Sequence, residues 1–207
     1  MTTFSRPPRL ILASSSSYRR ELLERLRLAF EVVPPDLDET PLAGESPADT
    51  ALRLAAAKAR AVATQIEVPE GTVVIGSDQV ATFEDRQIGK PGNHQGALKQ
   101  LQAMRGREVE FHSALCVYES RHDRAHIEGV VTRVRFRSLS DTDLEAYLRA
   151  ETPYDVAGSA KSEGLGIALL EAIDSNDPTA LVGLPLIALT RMLAEAGISP
   201  FAMEAHA

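Results

Sequence analysis

Three groups of residues in this chain have the types and spacings that handle phosphate. The first is the run Leu10–Leu26, LILASSSSYRRELLERL. A short apolar stretch ends in four serines, and a helical pattern begins at once. Backbone N–H groups at a helix N-terminus are unpaired and carry the positive end of the helix dipole. Serine hydroxyls and an arginine fork add further donors for oxyanions. Ser14 follows the apolar stretch directly, which is where α/β sheets place ligands, and Arg19 and Arg20 lie just beyond. Serine turns before helices also serve simply as caps. The run is not a P-loop, because the glycines and the Gly-Lys-Ser/Thr ending are missing.

The second group is Asp36, Asp38 and Glu39 in DLDET. Carboxylates clustered on a loop suit a hard cation such as Mg²⁺ or Mn²⁺, which takes oxygen ligands and bridges to phosphates; a solvated acidic turn has the same composition. The third is Asp78 in VVIGSDQV. An aspartate inside an apolar, β-branched run is costly unless it is paired or bound to metal, and such a group acts on water as a general base or as a metal ligand. Lys58, Lys90 and Lys161 are point charges suited to phosphate and to a leaving pyrophosphate. His94, His112, His122 and His126 show no metal-ligand spacing. Cys116, in SALCVY, reads as a buried structural thiol. EGLG and VGLP are glycine turns whose purpose residue types alone do not give.

The elements that must position these groups follow from periodicity. Arg9–Ala13 reads as a buried strand and Tyr18–Leu28 as an amphipathic helix. AFEVVPP is a short strand stopped by Pro34 and Pro35. Ser46-Pro47 starts an alanine-rich helix that runs to about Thr64. TVVIGSDQVATF reads as a strand interrupted at Gly76-Ser77-Asp78, and Gly76 permits close backbone approach. GKPGN is a turn before a helix from Gln95 to Met104. REVEFHSALCVYES and HIEGVVTRVRFRSL alternate as antiparallel strands do. Ser140 caps a helix with Asp143 completing a capping box. The glycine-rich DVAGSAKSEGLG leads into a strand-like run, and a last helix, Leu184–Ala196, ends at Gly197. The mixture predicts an α/β protein with a mixed, strongly twisted sheet flanked by helices, a single domain over 1–207.

Composition narrows the classes. With one cysteine no intramolecular disulfide can form. The net charge of -7 argues against broad nucleic-acid binding and requires positive charge to be concentrated locally. No apolar stretch is long enough to span a membrane, and MTTFSRPPRL lacks the apolar core of a secretory signal. These features predict a cytoplasmic protein that binds neither nucleic acid nor membrane. The C-terminal SPFAMEAHA reads as a frayed tail.

LILASSSSYRRELL, PDLDET, RLAAAKA, VVIGSDQV, GKP, AGSAKSEGLG and LVGLPL occur in an order that resembles the Maf-like nucleotide pyrophosphatases, from about Leu10 to Gly197. The resemblance implies hydrolysis of a nucleoside triphosphate, a small-molecule substrate, to monophosphate and pyrophosphate. It implies a divalent metal cofactor (Mg or Mn), two lobes around a deep nucleotide cleft, and often a homodimer. Tyr18, Gln79 and Glu163 resemble the specificity positions of the 7-methyl-GTP branch, which would clear a modified nucleotide from the pool. An aromatic face at Tyr18 could stack on a cationic methylated guanine, and Glu163 could accept hydrogen bonds from its edge. By the same resemblance Ser14 and Arg19 hold phosphates, Glu39 and Asp78 bind metal, Lys58 and Lys90 steady the triphosphate, and Asp78 takes the proton from attacking water. The chain departs from the family pattern at Ser17, at Ala57 (where a glutamate before Lys58 is usual), at Val109 and at Ser113-Ala114. Two alternatives stay open: a dTTP/UTP or broad-specificity pyrophosphatase, and a nucleotide-binding regulator of cell division or septation.

Overall fold

Strands β1 (Leu10–Ala13) and β3 (Val73–Phe83) begin with apolar residues at every position, and the fold buries both of their faces. The computed structural model describes residues 8–201; the first seven residues, read above for a leader, and the last six of the tail lie outside the described residues. Along the chain follow α1 (Ser17–Glu24), β2 (Glu31–Val32), α2 (Pro47–Gln65), β3, β4 (Arg86–Ile88), α3 (His94–Met104), β5 (Glu108–Glu119), β6 (Arg124–Phe136), α4 (Asp141–Glu151), β7 (Leu170–Asp174) and α5 (Leu186–Glu195). Short 3-10 turns at Ala157–Ser159, Leu165–Leu169 and Ala180–Val182 interrupt the C-terminal half. The seven strands form one mixed sheet in the order β2-β1-β3-β5-β6-β7, with β4 paired to β3. β1 runs parallel to β2 and β3, and the remaining pairs are antiparallel.

Strand alternation sorts the core. Leu10, Leu12, Val73, Ile75, Leu115 and Val117 face α1 and α5, meeting Leu22, Leu23, Leu189 and Leu193. Ile11, Ala13, Val74, Ala114 and Cys116 face α2, whose Ala51, Ala55, Ala59 and Val62 form its buried stripe. A further cluster around Phe111, Val134, Phe136 and Leu148 packs α3 and α4 on the far half of the sheet. Cys116 lies within the second cluster, and burial pushes its thiol up to about 12, as expected of a structural cysteine.

The caps lie where local sequence places them. Ser46 accepts from the Asp49 N–H with Pro47 in the first turn, and Ser140 and Asp143 close a reciprocal capping box. Three expectations are corrected. α1 ends at Glu24, not Leu28, because Arg27 turns left-handed at φ 55°. β2 is only two residues long, in line with the two prolines that follow it and cannot donate to a ladder. β3 is not interrupted at Gly76-Ser77-Asp78: its ladder with β5 is continuous from Val73 to Thr82.

Candidate active site

Gly76 is the reason α2 can lie close on β3. A Cβ there would run into the Ala55 carbonyl oxygen and come to 2.8 Å from the Ala59 nitrogen. That close approach brings Lys58, on α2, onto Asp78 two residues further along the strand. Lys58 Nζ donates to Asp78 Oδ1 at 2.6 Å, and both residues are buried. The costly strand aspartate thus has a cationic partner supplied by another element. Lys58 Nζ also stands 3.0 Å from Glu39 Oε1, whose side chain is 56% exposed. One ammonium is therefore held between two carboxylates, one buried and one at the surface.

Arg19 completes the cluster from the N-terminus of α1. Ser16 caps that helix through the Arg19 N–H, and Ser14, buried at the end of β1, accepts from the Ser16 N–H at 3.1 Å. Ala13 pairs with Gly76, so β1 ends beside the stretch of β3 that carries Ser77 and Asp78. Arg19 Nε donates to the Gly183 carbonyl at 2.9 Å, and the Ser77 hydroxyl donates to the same oxygen at 3.0 Å. Gly183 closes its 3-10 turn at φ 118°, a conformation that suits glycine. The VGLP turn thus has a purpose: its carbonyl orients the arginine. Burial lowers the pKa of the Arg19 guanidinium, against the attraction of Asp78 and Glu39, and an arginine stays charged regardless. Asp78 is shifted above its ordinary carboxylate value. Burial drives the shift and the Glu39 charge adds to it, while Lys58 and Arg19 oppose.

A second group gathers around Lys161. Lys161, whose backbone N–H donates to the Tyr147 hydroxyl at 3.1 Å, lies near Tyr18. Gly166 holds this segment tight, since a Cβ would strike the backbone of Lys161. Burial first, then the charges of Glu151 and Glu163, push the Tyr147 hydroxyl up to about 12. Lys161 and Tyr147 are thus in contact, and Tyr18 and the exposed Glu163 both lie near enough to influence Tyr147.

Other expected residues fare differently. Gln79 faces away from Asp78, as alternation requires. Its Nε2 is committed to Ser113 Oγ (2.9 Å), the Ala180 carbonyl (2.9 Å) and the Leu181 carbonyl (3.0 Å), so a ligand would meet its Oε1. Lys90 is exposed on a turn anchored by Gln100 at the Gly89 carbonyl, and among the described residues it makes no ion pair. Arg20 pairs with Glu24 on the surface. Asp38 is occupied locally, accepting from the Thr40 N–H and hydroxyl at 2.9 and 2.6 Å, an Asx-type turn rather than a free ligand. Lys58 finds two carboxylates although position 57 is alanine. Among the described residues no group of three or more His, Cys, Asp or Glu side chains gathers as a metal site. Glu39 Oε1 and Asp78 Oδ1 converge on the Lys58 ammonium, so an ion that takes one or two protein carboxylates and fills its other positions with water and phosphate would meet their other oxygens. Sequence reasoning missed Ser77 and Gly183, whose partners lie more than a hundred residues apart in the chain. A cavity of about 970 Å³ opens at the opposite end of β1 and β3, around Arg9, Glu31 and Arg124, and takes no part in the cluster.

The family model described as Maf-like protein matches residues 9–196. A 7-methyl-GTP pyrophosphatase of Burkholderia orbicola (strain AU 1054) is 74% identical over 200 residues, covering 97% of this chain and 95% of that protein. One of Cupriavidus metallidurans (strain ATCC 43123 / DSM 2839 / NBRC 102507 / CH34) is 64% identical over 194 residues, covering 94% and 96%. Among solved structures, a HAM1 protein from Coxiella burnetii is similar at a TM-score of 0.44 and 22% identity, covering 64% of this chain and 74% of that one, a likeness too slight to carry an argument.

Proposed function

This chain belongs to the Maf-like protein family, and we propose that it hydrolyses 7-methyl-GTP to 7-methyl-GMP and pyrophosphate, with Asp78 as the base. The observation that carries the chemistry is the buried Lys58–Asp78 pair, with Glu39 and Arg19 beside it. Water attacks the α-phosphorus: a new P–O bond forms, the bond to the bridging α,β oxygen breaks, and the water proton passes to Asp78. A carboxylate shifted upward by burial is a better proton acceptor than an exposed aspartate. Lys58 keeps it ionised and aimed. Arg19, its guanidinium fixed by the Gly183 carbonyl, binds the phosphate oxygens, joined by Ser14 and the first-turn amides of α1. Lys90 closes on the leaving pyrophosphate from its turn. Glu39 and Asp78 are the residues that would hold Mg²⁺ or Mn²⁺, which supplies positive charge to offset that of the triphosphate when bound.

The base lies toward Tyr18 and Glu163, because α1 presents Tyr18 and Arg19 as neighbours and so spans both groups. Tyr18 stacks on the methylated, positively charged guanine, a contact worth about 0.5–2 kcal/mol. Glu163 adds a compensating charge at the base edge. No helix among the described residues is long and apolar enough to cross a membrane. The test is pyrophosphate release from 7-methyl-GTP, GTP, dTTP, UTP, CTP and ATP with Mg²⁺ or Mn²⁺. Preference for 7-methyl-GTP is expected. Preference for dTTP and UTP would discard the base assignment, and no release from any of them would favour a nucleotide-binding regulator.

A further inference from the structure

Glu39 is delivered to Lys58 by a stretch between β2 and α2 that has no regular structure of its own. Its side chain is more than half exposed, so packing does not hold it there. What holds the loop is a charged bracket from α2. Arg53 donates Nε to Glu45 Oε1 at 2.6 Å and Nη2 to Glu45 Oε2 at 2.8 Å, a forked pair. The same Nη2 donates to the Thr40 carbonyl at 3.2 Å. The Glu45 carboxylate, only 9% exposed, also accepts from the Leu42 N–H at 3.1 Å and the Thr50 hydroxyl at 2.9 Å. Thr40 in turn donates to Asp38. Both chain neighbours of Glu39 are therefore tied down, one to the other and Thr40 to the helix that carries Lys58.

We propose that Arg53 is a positioning residue that holds Glu39 against Lys58 by clamping the 38–45 loop onto α2 through Glu45 and the Thr40 carbonyl. The kinetic part of this inference rests on the pyrophosphatase reading; the clamping itself does not. A guanidinium is required because one ammonium cannot bridge both Glu45 oxygens and a carbonyl in fixed geometry. The strong pull on Glu45, whose carboxyl is held down to about 2 chiefly by its Arg53 hydrogen bonds, agrees with a clamp that stays closed at neutral pH.

The experiment introduces Arg53→Gln and Arg53→Lys into the parent chain and into Glu39→Gln. Two quantities are read: pyrophosphate release from 7-methyl-GTP with Mg²⁺, and amide hydrogen exchange across the 38–45 loop. Arg53→Gln should lower kcat about tenfold in the parent, with KM within about twofold, and change it less than about twofold once Glu39 is gone. Arg53→Lys should rescue little of that loss. The Thr40 and Leu42 amides should exchange at least about tenfold faster in Arg53→Gln. Equal losses in both backgrounds would mean only general destabilisation, and a raised KM would mean that Arg53 touches phosphate; either overturns the proposal. If the parent chain releases no pyrophosphate, the functional reading fails, and unchanged exchange in the loop then overturns the clamp on its own.

Discussion

Replacing Lys58 by methionine isolates the buried pair at the centre of the site. Methionine keeps most of the side-chain volume but leaves Asp78, 6% exposed, without the cation 2.6 Å away. Breaking a buried pair by removing one partner costs about 3–5 kcal/mol; the lower end applies here, because Arg19 remains within electrostatic reach of Asp78. For a chain of this size about 3 kcal/mol corresponds to a fall in Tm of about 6–12 °C at neutral pH. The pH dependence carries the sharper signature. Lys58 is the largest influence lowering the Asp78 pKa, so its loss moves an already raised value higher still. A group whose folded pKa lies above its unfolded one favours the fold at low pH and loses that contribution as pH rises through the folded value. The variant should therefore match the parent near pH 4, about the value for an unfolded aspartate, and diverge as pH rises. Thermal melts of both proteins from pH 4 to 8 measure this, with Lys58→Met/Asp78→Asn as the control that should recover most of the loss. Parallel Tm curves for parent and variant would refute the reasoning, because a stability loss independent of pH is packing and not charge.

Three further predictions concern the same framework. Asp78→Asn should lower turnover by at least about a hundredfold while the nucleotide still binds, as read by pyrophosphate release and calorimetry. Gly76→Ala should separate α2 from β3, costing about 1–3 kcal/mol in stability and a comparable loss of activity, since the helix that carries Lys58 moves with it; denaturant melts and kinetics check both. Glu45 is held down to about 2, from an ordinary 4.5, first by Arg53. Its stabilisation is complete above 4.5 and is lost as pH falls toward 2, so acid titrations of Glu45→Gln should show a flatter loss of stability across that window.

Features that depend on neighbouring residues were legible in the sequence. Ser46 with Pro47, and Ser140 with Asp143, cap helices through contacts three residues long. Alternation in β5 and β6 gives their antiparallel pairing because each position reports its own face. What was not legible depends on partners far along the chain. Asp78 looked like the break in a strand, yet the strand continues, because Lys58 on a helix twenty residues earlier compensates the charge. Gly183 gave no sign that its carbonyl holds Arg19, 164 residues away. Asp38 was grouped with Glu39 by composition, whereas Thr40 occupies it and leaves Glu39 alone to reach the lysine. Gln79 stands at a specificity position by resemblance, and nothing near it in the chain showed that its amide nitrogen also ties β3 to the Ala180–Val182 turn.

The site of bond cleavage tests the account most directly. When 7-methyl-GTP is hydrolysed in ¹⁸O-water and the products are followed by ³¹P NMR, attack at the α-phosphorus places the label in 7-methyl-GMP and leaves pyrophosphate unlabelled. Label in the pyrophosphate, or release of single phosphates, would contradict it, because the Asp78-activated water would then be meeting a different phosphorus.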